Sequence, residues 1–176
     1  MKFFETKLQG AYIIEREPFV DSRGSFFRTF CAKEFKQNNL AANMVQTNLS
    51  VSNKKGVLRG MHYQVDDAEE DKLVQCLRGA VLDVIADLRE NSKTFGKHLK
   101  VELSETNGKM LYIPRGFAHG FLALDNICHV LYQVSNFYNP NKERGIRWND
   151  PFLGIDWPIE SPILSPKDAS RPNFAP

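Results

Sequence analysis

Short runs of β-branched, aromatic and aliphatic residues recur along this chain, and that spacing constrains its fold more than any other feature. Residues 11–14 and 26–30 are such runs, followed by 44–52, 56–64, 72–78, 80–88, 98–104, 109–114, 117–123 and 128–136, each bounded by Gly, Asn, Asp or charge. Many short strands separated by roughly 8–12 residues argue for an all-β sandwich or barrel. Between the first two runs, Asp21-Ser22-Arg23-Gly24 has turn chemistry, with Asp opening it and Gly supplying a permissive backbone. Residues 32–39 give the clearest helix signal, ended by the pair Asn38-Asn39. The alternation through residues 81–87 is imperfect and directs Asp83 toward the barrel interior. From about residue 148 the chain is Pro-rich and is expected to run irregularly over the barrel.

With 176 residues, 42% of them hydrophobic and 25% charged, the chain suits one globular domain spanning 1–176 with a core of its own. A net charge of only +2 argues against a global nucleic-acid or membrane-surface binder. It remains compatible with an anionic small substrate if Lys and Arg converge in one pocket. No apolar stretch approaches the roughly 18 residues of a membrane span, and the N-terminus meets charge before a signal-peptide run develops. Cys31, Cys76 and Cys128 are odd in number and form no CxxC pair, so they read as reduced thiols in the strands of a cytoplasmic protein. A catalytic cysteine is the competing reading, but none has an activating His at a known spacing. An antiparallel barrel of this size has open edges, and a homodimer that exchanges N-terminal strands is expected to cover them.

Three segments concentrate functional side chains. In residues 56–64, a period of two puts Leu58, Gly60, His62 and Gln64 on one face and Arg59, Met61 and Tyr63 on the other. In residues 113–121, Gly116 and Gly120 flank His119, as at a pocket wall or a packed turn. In residues 131–138, Tyr132 and Val134 face one way, Gln133 and Ser135 the other. Taken singly, His62 also reads as a satisfied structural histidine and Tyr132 as a core or rim aromatic.

Their combination is informative. DSRGSFFRTF (21–30), GVLRGMHYQ (56–64), KLVQCLRGAVLDVIADLR (72–89), TFG (94–96), IPRGFAHGF (113–121), ERGIRWNDP (143–151), IDWP (155–158) and SPKD (165–168) occur in that order. Over nearly its whole length the chain closely resembles the dTDP-4-dehydrorhamnose 3,5-epimerase family. The resemblance implies an all-β, cupin-type jelly-roll barrel with short flanking helices, a homodimer, and no metal or organic cofactor. Metal-binding cupins place two His one residue apart with a Glu soon after. Here the residue two beyond His62 is Gln64, and two beyond His119 it is Phe121.

Substrates of that family are nucleotide-linked 4-keto-6-deoxy sugars, whose ketone acidifies the hydrogens on C3 and C5. Inversion needs a base on one ring face, an acid on the other and a cation or donor at the enolate oxygen. By resemblance His62 is the base, Asp168 its orienting partner, Tyr132 the proton donor and Lys72 the group at the keto oxygen. Arg23, Arg59, Lys167 and His119 match positions that hold the diphosphate or sugar. Gln46 and Asn48 match contacts to the nucleotide, Glu143 a further binding position and Tyr138 the aromatic that stacks on the base. The implied biological setting is the third step toward an activated L-sugar such as rhamnose, for a surface polysaccharide such as lipopolysaccharide O-antigen.

Two departures from the family pattern bear on specificity. Arg28 stands where the dTDP-rhamnose enzymes typically carry Glu against thymine, and Arg cannot accept the hydrogen bond that Glu accepts. That leaves thymidine, cytidine or another base open. Residues 65–71 (VDDAEED) are strongly acidic where Pro, Gln and Gly are common, which suits either a solvated loop or one that shapes the sugar pocket. The sequence therefore leaves three alternatives: a 3,5- or single-carbon epimerase, a ketoisomerase on the same fold, and a non-enzymatic sugar-nucleotide-binding module. The His62/Tyr132 pair argues against the last, since a lectin has no use for an acid and a base.

Overall fold

Period-two alternation becomes two facing antiparallel sheets in a computed structural model that describes all residues, 1–176. The strands are β1 (Lys2–Glu5), β2 (Tyr12–Glu15), β3 (Phe19–Asp21), β4 (Gly24–Phe26), β5 (Gln46–Ser52), β6 (Leu58–Gln64), β7 (Lys72–Arg78), β8 (Ala80–Asp87), β9 (His98–Ser104), β10 (Lys109–Ile113), β11 (Phe117–Ala123), β12 (Cys128–Val134) and β13 (Glu143–Gly145). Two short helices accompany them, α1 (Ala32–Gln37) and α2 (Pro166–Ala169). One sheet runs β1-β2-β10-β7-β12-β5 and the other β13-β6-β11-β8-β9, while β3 and β4 form a separate hairpin. The sheets face each other without hydrogen-bonded closure, in a cupin-type jelly roll.

The core lies in three layers. Between the sheets pack Val74 and Cys76 of β7, Val81 and Ile85 of β8, Leu111 and Ile113 of β10, and Phe117 and Phe121 of β11. The intervening residues of the same strands point outward into two further layers. Leu73, Met110 and Tyr112 meet Phe35 of α1 on one side. Val84, Ala86, Ala118 and Leu122 meet Leu153, Ile155 and Trp157 of the tail on the other. The tail beyond residue 148 thus packs over the five-stranded sheet, as its composition suggested, and Trp157 Nε1 donates to the Trp148 carbonyl at 2.8 Å.

Several local expectations are corrected. The strand read over 26–30 ends at Phe26. Phe27 instead lies under the Arg16 guanidinium, 4.0 Å from its ring centre, and Phe30 packs on Phe35 at 4.9 Å. Beyond Phe26 the run leaves the hairpin, and Phe30 anchors α1. Cys76 and Cys128 are buried in strands, but Cys31 lies outside any strand at the start of α1; no disulfide links any of them. Burial pushes the Cys76 thiol up to about 11.

One irregularity shapes the site. His119 of β11 pairs with His62, whereas Phe121 pairs with Arg59, so Gly120 alone faces Gly60 and Met61. This is a β-bulge, and it reverses the phase of β6. Leu58 and Met61 fall in the layer under the tail, while Arg59 and His62 both border the same cavity. The single-face assignment of Leu58, Gly60, His62 and Gln64 therefore fails between Gly60 and His62. The bulge requires glycine on both strands: a Cβ on Gly60 would stand 2.5 Å from the Gly120 Cα, and one on Gly120 would stand 2.9 Å from the Arg59 carbonyl oxygen.

Candidate active site

Toward one end of the sandwich the inward-facing positions change from apolar to polar, and the sheets enclose a cleft of about 620 Å³. His62, Tyr132, Lys72, Asp168, Gln46, Asn48, Arg59, His119, Tyr138, Glu143 and Lys167 all border it. Arg23 and Arg28 do not. Arg23, at the tip of the β3–β4 hairpin, pairs with Asp21 at 2.6 Å, and Arg28 pairs with Glu34 of α1 at 2.6 Å.

On the five-stranded wall, His62 Nε2 meets Asp168 Oδ1 at 2.5 Å. Asp168 is 4% exposed and is delivered by α2, whose first turn is capped by Ser165: the Asp168 N–H donates to Ser165 Oγ at 3.0 Å. Burial pushes the Asp168 carboxyl up, but the bonds from His62 and Ser165 and the Arg171 charge outweigh it and hold the group below its usual value. A carboxylate on one ring nitrogen fixes the imidazole's orientation and leaves the other nitrogen to work. On the same wall His119 meets the fully buried Asp83 at 2.9 Å.

On the six-stranded wall stands Tyr132, between Asn48 of β5 and Val74 of β7. Burial raises its phenol, the Glu70 charge raises it further and Arg59 opposes both. The phenol is therefore protonated at neutral pH and available to donate. Lys72 opens β7 on this wall, and its Nζ pairs with Glu70 at 2.8 Å.

At the mouth, Glu143 gathers three donors. Tyr138 Oη donates to it at 2.6 Å and Lys167 Nζ at 2.8 Å, and Arg171 completes the set in a very short contact. Burial alone would raise the Glu143 carboxyl, but these partners hold it down at about 2. Arg59 is the contrasting cation, bonded only to the Val51 carbonyl at 3.1 Å and, more loosely, to Ser52 Oγ. No cluster of three or more His, Cys, Asp or Glu side chains suited to a metal ion occurs.

Asp83 and Arg171, partners of His119 and Glu143, had no role in the sequence reading, and Glu70 had one only as a member of the acidic loop. Glu70 lies two residues before Lys72 on extended chain, so the period of two could have placed it beside Lys72. The acidic loop divides accordingly. Asp66 and Asp67 are exposed, while Glu70 turns into the cleft and Asp71 is buried among Arg115, Tyr112 and Ser135.

An imidazole–carboxylate pair on one wall of a jelly-roll cleft, with a phenol and an ammonium on the other, is a set of groups suited to an isomerase. The chain belongs to the dTDP-4-dehydrorhamnose 3,5-epimerase family, whose sequence model matches residues 5–176. It is 46% identical to the dTDP-4-dehydrorhamnose 3,5-epimerase of Methanothermobacter thermautotrophicus, over 95% of this chain and 91% of that one. The crystal structure of the Elizabethkingia anophelis enzyme superposes with a TM-score of 0.95 at 46% identity, covering 99% of this chain and 96% of that one. The Legionella pneumophila enzyme in complex with dTDP-4-keto-L-rhamnose gives 0.92 at 40% identity, covering 98% and 92%.

The depressed Glu143 carboxyl has a stability consequence. Its contribution is complete above the ordinary carboxyl value of 4.5 and is lost as the pH falls through about 2. Glu143→Gln is expected to lower unfolding free energy at pH 7 by about 1–3 kcal/mol. Urea titrations from pH 7 to 2 should find that difference shrinking below about pH 4.5. A difference independent of pH would contradict the ion-pair assignment.

Proposed function

We propose that this protein inverts C3 and C5 of dTDP-4-dehydro-6-deoxy-D-glucose through an enolate, giving dTDP-4-dehydro-L-rhamnose. The observation that carries the reading is the opposition of the His62–Asp168 pair and the Tyr132 phenol, which makes no hydrogen bond within the protein, across one cleft. His62 removes the proton beside the ketone, and Asp168 stabilises the imidazolium. The electron pair moves to the keto oxygen, where the Lys72 ammonium meets it. Tyr132 returns a proton from the opposite face; His62 then gives its proton to water and Tyr132 regains one from water, and repetition at the second carbon completes the product. Removing a positioned charge of this kind costs on the order of 10²-fold in rate.

Binding follows from charge. His62, His119, Lys72 and Lys167 each have a carboxylate partner, whereas Arg59 has none, so its forked donors suit the diphosphate. Gln46 and Asn48, bonded to each other at 3.0 Å, and Tyr138 form the nucleotide end. The dTDP sugar held by the Legionella pneumophila relative supports thymidine as the base.

The functional unit in this reading is a homodimer. The β3–β4 hairpin leaves Phe19 79%, Val20 75% and Phe26 74% exposed, and the edge strand β5 exposes Leu49 and Val51. Such surfaces ask for a partner. Exchange of N-terminal strands would cover them and carry Arg23 and Arg28 toward the second copy's cleft. Free thiols and a nucleotide-sugar substrate support a cytoplasmic site of action. The product would feed a surface polysaccharide such as O-antigen.

Turnover of dTDP-4-dehydro-6-deoxy-D-glucose, followed through a coupled reductase, should fall by roughly 10²–10⁴-fold in His62→Ala and about 10²-fold in Lys72→Met. Unchanged rates would refute these roles. For the dimer, Phe19→Asp with Phe26→Asp should shift sedimentation to the mass of one chain and weaken substrate binding. A wild-type chain that sediments as a monomer would refute the assembly.

A further inference from the structure

Glu70 is a buried charge in the cleft to which the reaction, as described, gives no part. Its side chain is 8% exposed and that of its partner Lys72 11%, with 2.8 Å between Nζ and Oε1. No other ion pair reaches either group. Withdrawing two charges from water is costly, and a surface loop would gain nothing from it.

The chain invests in holding this carboxylate in place. A 3₁₀ turn, Asp66–Ala68, redirects the backbone after β6, and the chain then runs extended through Glu69 into β7. Successive side chains point to opposite sides. Asp71 turns away from the cleft and accepts from Arg115 at 2.8 Å, from Tyr112 Oη at 3.0 Å and from Ser135 Oγ at 3.0 Å. That buried network fixes the peptide next to Glu70, so Glu70 enters the cleft from a rigid frame.

Lysine carries a point charge on a flexible four-carbon stem with three donors. Alone in the cleft it could swing toward any anion, including the substrate's diphosphate. Paired with Glu70, it has its charge locally balanced and its reach restrained.

We propose that Glu70 is a positioning residue, aiming the Lys72 ammonium at the substrate's keto oxygen rather than at its phosphates. The proposal rests on the epimerase reading given above. Because the ammonium then acts on charge that develops during the reaction, loss of Glu70 affects turnover more than binding. A misplacement of about 1 Å at such a group can cost up to 10²-fold.

Wild type, Glu70→Gln, Lys72→Met and the double variant should be compared for kcat and KM on dTDP-4-dehydro-6-deoxy-D-glucose, with melting temperatures alongside. Glu70→Gln keeps the side chain's size, and its kcat should fall about tenfold with KM within twofold of wild type. Glu70→Asp, which keeps the charge on a shorter stem, should recover part of that loss. The double variant should be no slower than Lys72→Met alone, because Glu70 acts through Lys72. An active wild type with unchanged kcat in Glu70→Gln, or losses that multiply in the double variant, would overturn this role and leave the epimerase reading standing. An inactive wild type would overturn both.

Discussion

Everything in this molecule depends on what the inward faces of two opposed sheets carry along their length. On β7 one face reads Cys76, Val74, Lys72, and on β12 the neighbouring positions read Val130, Tyr132, Val134. Methyl groups and a thiol at one end give way to an ammonium and a phenol at the other. Apolar burial holds the sheets together where the alternation is hydrophobic, at roughly 25 cal/mol per Å² removed from water. Where it becomes polar the sheets cannot close without desolvating unpaired groups, and a cleft remains. Fold and site are thus two ends of one pattern, and the tail crosses the five-stranded sheet to bring Asp168 to His62.

Charge pairing organises that cleft. Asp168 serves His62, Asp83 serves His119, Glu70 serves Lys72, and Glu143 serves Lys167 and Arg171. Each carboxylate is largely buried, and His62, His119, Lys72 and Lys167 border the cavity. This keeps the site from acting as a general anion trap, since a diphosphate must compete for cations already engaged. Arg59, without a carboxylate, is left as the strongest attractor. In the proposed reading the phosphates are drawn to Arg59 and the sugar lies between His62 and Tyr132.

Much of this was legible in the sequence, and the exceptions have physical causes. Strand positions followed from periodicity because burial enforces it, and most of the expected site residues border one cleft because the motifs fall on inward faces. The bulge was not legible. Strict alternation separates Arg59 from His62, and only the contact of Gly60 with Gly120, a tertiary event, brings them together. The aromatic run at 26–30 looked like a strand because β propensity reflects packing, and here the rings pack on Arg16 and Phe35 instead. Glu70 was masked by its neighbours, since an acidic run reads as a solvated loop until the fold shows which members turn inward. Arg23 and Arg28 lie where no single chain's periodicity could connect them to the cleft.

The central claim is that acid and base act from opposite walls. Solvent-deuterium incorporation at C3 and C5 of dTDP-4-dehydro-6-deoxy-D-glucose, resolved by NMR for wild type, His62→Ala and Tyr132→Phe, tests it most directly. The account predicts exchange with inversion at both carbons in wild type and none in His62→Ala. In Tyr132→Phe it predicts exchange with the original configuration kept, because the base returns deuterium to the face it deprotonated. Inversion persisting in Tyr132→Phe, or exchange persisting in His62→Ala, would contradict it.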